Sequence, residues 1–348
     1  MSEIYLGILG GGQLGSMLSV AAKKLGIKTI VYCDDADAPA QNFCDKFIFG
    51  EYNDNLRLEE FLNKVKIITY EFENIPYSTL NEINKKKPVL PKPSINRLIQ
   101  HRLAEKDFVN KLNIRTTQYA SVKKKSDLDS LTDLIPGILK TTTMGYDGKG
   151  QYPIKEITDI DSLNIDFSKE YILEKLVKLK KEISIVITRF SNNSYEIYEP
   201  IENTHEDQIL KYSKIPAQIS EDLFNQSKDW AVSIAEELKF IGTLCVEFFI
   251  DRNDNLYVNE IAPRVHNSGH LTINAYNVSQ FENHIRAVCS LEKIVLKKIS
   301  NAKMINLIGS QIEPYRQNIK LKDNEFFFDY LKKEIKDKRK MGHITILT

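Results

Sequence analysis

Two glutamates on either side of a predicted turn are the residues of this chain best placed to do chemistry. Within residues 243–261, two apolar runs rich in β-forming residues flank a polar turn, which is the pattern of a β-hairpin. With the turn centred on Asn253 and Asp254, Glu247 lies directly opposite Glu260. Like charges that face each other across paired strands are destabilising, and a cation removes the conflict. Because Mg²⁺ usually binds one or two carboxylates together with substrate phosphates, the hairpin predicts a site for Mg²⁺ and a nucleotide.

The context of the two glutamates separates this hypothesis from a simpler one. A solvated hairpin face also commonly carries two glutamates, but both of these interrupt runs that look buried. The loop that follows Glu260 contains Arg264, the histidines His266 and His270, and several small hydrogen-bonding residues. A fixed cation and imidazole groups of this kind suit the binding of an anion. The sequence therefore favours an anion-binding loop beside a metal.

The composition indicates an ordinary globular protein with more than one domain. A chain of 348 residues exceeds what one hydrophobic core usually carries, and a hydrophobic content of 42% is typical. The 48 basic and 47 acidic side chains give a net charge of +1, which does not favour nucleic acid as a partner. No apolar run approaches the roughly 20 residues needed to span a membrane. Four scattered cysteines and an N-terminus without a basic leader predict a cytoplasmic protein with reduced thiols.

The N-terminal segment predicts a βαβ unit with a glycine-rich turn. A buried strand over 4–9 leads into a Gly-Gly-Gly-Gln-Leu-Gly run at 10–15, and a helix follows to about Leu25. This Gly-x-Gly-x-x-Gly pattern, with Asp34 and Asp35 about 20 residues further on, matches a dinucleotide-binding fingerprint. The motif is weak alone, since the same glycines also serve a tight strand–helix turn. Both interpretations stay open at this point.

A second loop in the middle of the chain has the composition of a phosphate-binding element. The predicted strand 136–140 ends at Lys140, and the glycine- and threonine-rich residues 141–151 follow. Such a loop suits closure over phosphates, although it could also be only a hairpin tip. A basic cluster at 336–343 predicts an anion site on a small closing subdomain. Further predicted elements are the strands 171–177, 182–189, 195–202, 304–309 and 326–330 and the helices 55–63, 221–238 and 279–291.

In their order along the chain, these motifs resemble those of the N5-carboxyaminoimidazole ribonucleotide synthetases, a family of ATP-grasp enzymes in purine biosynthesis. The resemblance covers nearly the whole chain and rests on the segments 10–15, 145–151, 174–177 and 259–270, of which the last is the most specific. It implies a three-domain ATP-grasp architecture of mixed α/β and α+β class. The implied domains are an N-terminal Rossmann-like domain over 1–98, an ATP-grasp domain over 99–290 with a mobile lid at about 115–180, and a small C-terminal β-rich domain over 291–348.

The resemblance implies a carboxylating ligase. ATP phosphorylates bicarbonate to carboxyphosphate, and the exocyclic amine of 5-aminoimidazole ribonucleotide is then carboxylated. The products are N5-carboxyaminoimidazole ribonucleotide, ADP and phosphate. Phosphoryl transfer needs charge neutralisation and positioning more than covalent chemistry, which agrees with the motifs described above. The family implies ATP and Mg²⁺, with Mn²⁺ as an alternative metal, and a homodimer; neither nucleic acid nor a membrane is expected as a partner.

Several residues are assigned to the nucleotide phosphates by the resemblance. Glu247 and Glu260 would hold the metal between the β- and γ-phosphates. Arg102 and Lys140 would contact phosphate oxygens. The mobile loop would close over the phosphates and exclude water. Its matching residues are Gly145, Tyr146, Asp147, Gly148, Lys149, Gly150 and Gln151.

The nucleoside end of ATP is assigned to a hinge and to nearby strands. The hinge would hold the adenine through backbone groups that read its edge. Glu182 would accept hydrogen bonds from the ribose hydroxyls, and His205 and Asn259 would line the nucleotide pocket. Strand alternation turns Asn259 away from Glu260, so its role depends on the local twist. The matching hinge residues are Glu174, Lys175, Leu176 and Val177.

The second substrate is assigned to residues just past the metal pair. Arg264 would clamp the carboxyphosphate anion, and His266 would handle a proton. Tyr146 and Asp147 of the mobile loop would reach the imidazole of the substrate, and together these four are the predicted catalytic residues. Under the resemblance the first glycine loop serves the ribonucleotide and not a nicotinamide. The predicted residues that contact the ribonucleotide are Gln13, Leu14, Arg264, His266, Asn267, Lys332 and Arg339.

Three alternatives to the carboxylating ligase stay open from the sequence. A related ATP-grasp ligase would use another acyl donor, such as formate, on a similar ribonucleotide. A dehydrogenase would bind a nicotinamide cofactor on the N-terminal βαβ unit. A non-catalytic regulator would only bind nucleotide, but the complete set of metal, phosphate and lid residues argues against it, because binding alone needs no closing lid.

Overall fold

Three β-sheets with packed helices make up the computed structural model, which describes residues 5–143, 150–163 and 165–348. The strands are β1 Tyr5–Leu9, β2 Thr29–Cys33, β3 Lys46–Phe49, β4 Val65–Tyr70, β5 Tyr119–Val122, β6 Gly137–Thr141, β7 Gln151–Ile154, β8 Tyr171–Lys175, β9 Leu179–Arg189, β10 Tyr195–Ile197, β11 Ile201–Glu206, β12 Ile209–Ile215, β13 Gly242–Asp251, β14 Leu256–Ala262, β15 Ala302–Ile308, β16 Glu325–Asp329 and β17 Lys340–Leu347. The helices are α1 Gln13–Lys24, α2 Asn55–Leu62, α3 Tyr77–Lys86, α4 Pro93–Ile99, α5 Arg102–Lys111, α6 Asp159–Ser162, α7 Glu221–Glu237, α8 Thr272–Ala275, α9 Gln280–Val288 and α10 Glu313–Gln317.

The N-terminal sheet is parallel, with the strand order β3-β2-β1-β4. All five residues of β1 are buried, as expected for a strand covered on both faces. The glycine-rich run joins β1 directly to α1, and Gly26, at a φ of +71°, follows the helix where only glycine is unstrained. The carboxyl ends of β1 and β4 therefore lie side by side, which places Gly10 next to Glu71.

A nine-stranded antiparallel sheet carries most of the predicted site. Its order is β14-β13-β9-β11-β12-β15-β17-β16, with β10 paired to β9. Because side chains alternate along a strand, Ile183 and Ile185 of β9 and Val246 and Phe248 of β13 enter the core under α7. The intervening polar residues of these two strands lie on the opposite face. A separate four-stranded sheet, β5-β8-β6-β7, packs its own small core.

The predicted class, mixed α/β and α+β, is confirmed, while one local prediction is wrong. The predicted strand 195–202 is two strands, β10 and β11, because Pro200 lacks the N–H that a continuous ladder needs. The basic tail leads into β17, which lies between β15 and β16 inside the sheet. The nine-stranded sheet also continues across the predicted boundary at residue 290, since β12 pairs with β15. The domain boundaries therefore stay predictions.

The helices of the described residues include none that is both long and apolar enough to cross a membrane.

Candidate active site

The structure places the two predicted metal ligands opposite each other. Glu247 of β13 pairs with Glu260 of β14, so the predicted pairing is confirmed. Near the turn the register is shifted by one residue from the prediction, because Phe248 pairs with Val258. A β-bulge at Asn259 absorbs the difference and restores the pairing of the glutamates. Bulges re-aim side chains beside functional sites, and this one sets the direction of Asn259 and Glu260.

The carboxylate pair lies in an electrostatic conflict that a cation would relieve. Burial and the charge of Glu260 raise the pKa of Glu247 to about 8. A third carboxyl group, that of Glu105 on α5, has its pKa raised to about 8 by burial and by Glu260. Its Oε1 accepts a hydrogen bond of 2.6 Å from the N–H of Ile261, so this group is tied to the hairpin backbone. Two hard oxygen donors with excess negative charge fit Mg²⁺.

The predicted phosphate ligands lie next to this pair. Arg102 begins α5, and its Nη1 lies 3.7 Å from Oε2 of Glu260. Lys140 at the end of β6 is buried, and its Nζ lies 3.2 Å from Oε2 of Glu174. No role was predicted for Lys106, one turn after Arg102 on α5, whose Nζ lies 3.3 Å from the same Glu174 oxygen. A spacing of four residues places Lys106 on the same face of the helix as Arg102, and this spacing could have predicted its position from the sequence.

Glu174 has a different position from that expected of a group facing adenine. Its side chain is buried between the two lysines and accepts a hydrogen bond of 3.1 Å from Oγ1 of Thr117. Burial alone would raise its pKa, but Lys140 and Lys106 lower the pKa to about 2. The carboxylate therefore stays ionised and holds Lys140 in place.

Part of the hinge and of the predicted glycine-rich loop lies within the described residues. The N–H of Lys175 donates to the carbonyl of Gln118 at 2.9 Å, and that of Leu176 donates to Pro136 at 2.8 Å. Adenine recognition by the hinge would therefore use other backbone groups, including those of Val177. Two residues of the predicted loop are described. Gln151 lies in β7 and pairs with Lys140 of β6, and the carbonyl of Gly150 accepts a hydrogen bond from the N–H of Thr141. The residues Gly145, Tyr146, Asp147, Gly148 and Lys149 lie outside the described residues.

Glu182 and His205 form an ion pair on the same face as Glu247. Nδ1 of His205 lies 2.6 Å from Oε2 of Glu182. Burial opposes protonation of the imidazole, but the adjacent negative charge of Glu182 raises the pKa of His205 overall. The strands bring the two together because Asn203, two residues before His205, pairs with Glu182. This polar pair suits a ribose edge, which has hydroxyls that both donate and accept.

The loop after β14 is held by residues that the sequence analysis missed. The guanidinium of Arg264 donates to both carboxylate oxygens of Glu73, from Nε and, at 2.9 Å, from Nη2. Glu73 follows β4 in the N-terminal sheet, 191 residues away, so no local pattern indicates the pair. His266 turns its Nε2 towards Oε1 of Glu247, at 3.5 Å. The side chain of Asn267 is buried, and within the described chain neither of its polar atoms has a hydrogen-bond partner.

The predicted ribonucleotide ligands from the two ends of the chain meet in part. Nζ of Lys332 donates to Oε1 of Gln13 at 2.9 Å, so a cation from the C-terminal segment reaches the first glycine loop. Leu14 packs its side chain in the core beneath that loop, which leaves only its backbone for a ligand. Arg339 donates to the carbonyl of Glu334 at 3.1 Å and is not brought against these groups by any described contact.

The first glycine loop already holds an acidic side chain, which belongs to the protein itself. The carboxylate of Glu71 accepts from the N–H of Gly12 at 2.8 Å and from that of Gly15 at 3.2 Å. These amides at the start of α1 are the groups that a pyrophosphate would need in a dinucleotide site. The fingerprint in the sequence therefore marks a tight strand–helix turn capped by an internal carboxylate, and the dehydrogenase alternative loses its support.

Models of three protein families match consecutive parts of the chain. The ribonucleotide synthetase preATP-grasp domain matches residues 1–100, the ATP-grasp domain matches 107–281, and the phosphoribosylaminoimidazole carboxylase C-terminal domain matches 302–348. Curated relatives include the N5-carboxyaminoimidazole ribonucleotide synthase of Staphylococcus aureus, which is 38% identical over 99% of this chain and 92% of its own length. That of Bacillus subtilis is 38% identical over 98% of this chain and 91% of its own length.

Solved structures of the same kind of enzyme superimpose closely. The Staphylococcus aureus enzyme complexed with ADP has a TM-score of 0.93 and 36% identity, covering 100% of this chain and 95% of that one. The Aspergillus clavatus enzyme in complex with ADP and 5-aminoimidazole ribonucleotide has a TM-score of 0.90 and 25% identity, covering 100% of this chain and 95% of that one.

Replacing Glu247 should stabilise the metal-free protein at high pH. A carboxyl whose pKa is raised to about 8 in the folded state stabilises the fold through its bound proton, and that contribution is lost as the pH rises to 8. The Glu247→Gln variant avoids the loss, so its Tm should exceed that of the wild type by about 2 °C or more at about pH 9 and by much less at about pH 5. Thermal denaturation with a chelator present measures the difference.

The control for this experiment is Glu237→Gln, which changes an exposed glutamate at the end of α7. Its Tm should follow that of the wild type at both pH values. A Glu247→Gln variant that is no more stable than the wild type at high pH would show that the pair carries no strain.

Removal of the partner of Arg264 should destabilise the fold. The Glu73→Gln variant leaves a partly buried guanidinium without its counter-charge. Because the side chains of Arg264 and Glu73 are 16% and 27% exposed, the loss should be about 2 kcal/mol of unfolding free energy, below the roughly 3–5 kcal/mol of a fully buried pair. The matched control is Glu82→Gln, which breaks an exposed ion pair with Lys85 on α3 and should cost less than about 1 kcal/mol. Urea denaturation compares the two variants, and equal losses would refute the idea that this pair fastens the two sheets together.

Proposed function

The chain belongs to the N5-carboxyaminoimidazole ribonucleotide synthase family of ATP-grasp ligases, and we propose that it carboxylates 5-aminoimidazole ribonucleotide in purine biosynthesis. ATP and bicarbonate give ADP and carboxyphosphate. The exocyclic nitrogen of the ribonucleotide forms a bond to the carboxyl carbon, the carbon–oxygen bond to phosphate breaks, and the amine loses a proton. The observation that carries the proposal is the facing Glu247–Glu260 pair beside Arg102 and Lys140, within a chain matched over its length by this family.

Phosphoryl transfer is served by the charges around the hairpin. Glu247 and Glu260 would hold Mg²⁺, or Mn²⁺ in its place, and the bound metal would neutralise charge that develops between the β- and γ-phosphates. Arg102 and Lys140 would contact the phosphate oxygens. Glu174 keeps Lys140 at the end of β6 until the phosphates replace it as the partner of that ammonium group.

The rest of the nucleotide would lie along the same face of the sheet. The hinge residues Lys175, Leu176 and Val177 would border the adenine, and Glu182 with His205 would receive the ribose. Asn259 would approach the phosphates from the bulge of β14. Closure of the loop that contains Tyr146 and Asp147 would exclude water, which otherwise hydrolyses carboxyphosphate.

Carboxylation would occur where the loop after β14 meets the first glycine loop. Arg264, held by Glu73, would present its remaining donors to carboxyphosphate, with His266 and Asn267 beside it. Lys332 and Gln13 would contact the ribonucleotide, with Arg339 as an expected phosphate ligand. We also propose that the enzyme is cytoplasmic and that it is a homodimer. Light scattering coupled to gel filtration would test the oligomeric state.

Phosphate release from ATP and Mg²⁺ tests the reaction. Release should require 5-aminoimidazole ribonucleotide and should rise with added bicarbonate. If formate replaces bicarbonate and release persists, the related ligase with a different acyl donor is favoured instead. Release that ignores the ribonucleotide would contradict both ligases.

The Glu260→Gln variant should lose phosphate release by at least about 100-fold, because the metal site then lacks one of its two carboxylates. Its Tm without metal should not fall, since the variant also removes a like-charge contact. The Glu237→Gln protein serves again as the control and should keep wild-type activity. Normal turnover by the Glu260→Gln protein would remove the metal pair from the mechanism.

A further inference from the structure

The ring of His266 has one tautomer imposed on it by its surroundings. Its Nδ1 accepts a hydrogen bond of 3.3 Å from the backbone N–H of Ser268, a group that can only donate. Nδ1 therefore carries no proton, and a neutral imidazole in this position has its hydrogen on Nε2. In this way the ring acts as the N-cap of the short 3₁₀ segment Asn267–Leu271.

A chain of hydrogen bonds between buried side chains also favours donation to Nδ1 of His266. Oγ of Ser268 lies 2.9 Å from Nδ1 of His266 and 2.8 Å from Oγ of Ser184. Ser184 in turn accepts from Nδ2 of Asn203 at 3.0 Å, and Oδ1 of Asn203 accepts from Ser213 at 2.7 Å. Because the oxygen of Ser184 already accepts from the amide, its hydrogen is available to Ser268. The hydrogen of Ser268 then points to Nδ1.

The backbone of His266 is fixed as firmly as its ring. Oε1 of Gln280 accepts from the N–H of His266 at 3.0 Å, and Nε2 of Gln280 donates to its carbonyl at 2.6 Å. Gly269 leaves room for this amide, since a Cβ there would lie 2.5 Å from Oε1 of Gln280. A turn of the ring would break its bonds to Ser268, and a withdrawal of the backbone would break those to Gln280.

We propose that Ser268, backed by Ser184 and Asn203, is a positioning residue that keeps His266 as a hydrogen-bond donor at Nε2. Nε2 lies 3.5 Å from Oε1 of Glu247, so its hydrogen would help to orient the carboxylate that the proposed function assigns to the metal. A ring that donates at Nε2 cannot accept the proton of the substrate amine there. The tautomer rests on the geometry of this chain, and only its catalytic consequence rests on the proposed function.

The tautomer is measured directly by ¹⁵N NMR of the metal-free protein with labelled histidine. The chain has six histidines, and the signals of His266 are those that disappear in His266→Gln. The wild type should show a protonated, pyrrole-type Nε2 and an unprotonated, pyridine-type Nδ1. The opposite tautomer, or an even mixture of the two, would overturn the proposal whatever the enzyme does.

The Ser268→Ala variant tests the role of the hydroxyl. Its Nδ1 resonance should move because the shorter of two donors is lost, and kcat should fall about tenfold. The control is Ser227→Ala, which removes an equally buried serine hydroxyl that donates only to the carbonyl of Phe224 on α7. It should leave both the resonance and kcat unchanged. An unchanged Nδ1 resonance in folded Ser268→Ala protein would assign the serine a structural role only.

Two further experiments distinguish an effect that passes through the ring of His266 from a loss of folding. In a His266→Gln background, Ser268→Ala should produce no additional loss of kcat, because its effect passes through the ring; a further tenfold loss would contradict the proposal. If Ser268→Ala does not fold, the wild-type spectrum and Ser184→Ala, which removes the donor to Ser268, decide the question. Absence of carboxylation with the expected tautomer present would reject the proposed function and leave the positioning of His266 standing.

Discussion

The rest of the site depends on two carboxylates that the fold holds opposite each other. Pairing of β13 with β14 places Glu247 opposite Glu260, and the core residues on the other face of both strands prevent either from turning away. A pair of this kind costs stability, and it persists where a ligand recovers the cost on binding. The nine-stranded sheet, the bulge at Asn259 and α5 with its carboxyl group at Glu105 all maintain that arrangement.

Three other acidic groups of the site are paired with cations, in contrast to the facing pair Glu247 and Glu260. Glu174 is paired with two lysines, Glu73 with Arg264 and Glu182 with His205. These pairs preorganise side chains that would otherwise lose conformational entropy when the nucleotide binds. Glu260 has Arg102 3.7 Å away, yet the pKa of Glu247 stays raised, so a divalent cation bound with the nucleotide would enter a site where its charge is needed and where its surroundings are already in place.

The local sequence patterns predicted the features that depend on residues close together in the chain. The hairpin and its facing glutamates, the buried strands and the turn after β1 all follow from alternation, apolar runs and glycine placement within short windows of sequence. The partners of the functional groups do not, because they come from elements distant in the chain: Glu73 for Arg264, Lys106 for Glu174, and Ser184 for Ser268, which is 84 residues away. The glutamates pair as predicted only because of the β-bulge at Asn259, and no residue type in the hairpin sequence predicts that bulge.

The first glycine loop shows why a motif specifies backbone shape more reliably than a ligand. Glycines at 10–15 allow β1 to turn sharply into α1 and leave amides exposed at the helix start, and that geometry attracts any anion. Here the anion is Glu71, from a strand end 59 residues away, and a Cβ added at Gly10 would lie within 3 Å of its carboxylate. The same glycines that would admit a pyrophosphate instead admit an internal cap. In this chain the side chain of Glu71, which follows β4, occupies the amides that a pyrophosphate would need, so the fingerprint describes the turn of the backbone and not a dinucleotide site.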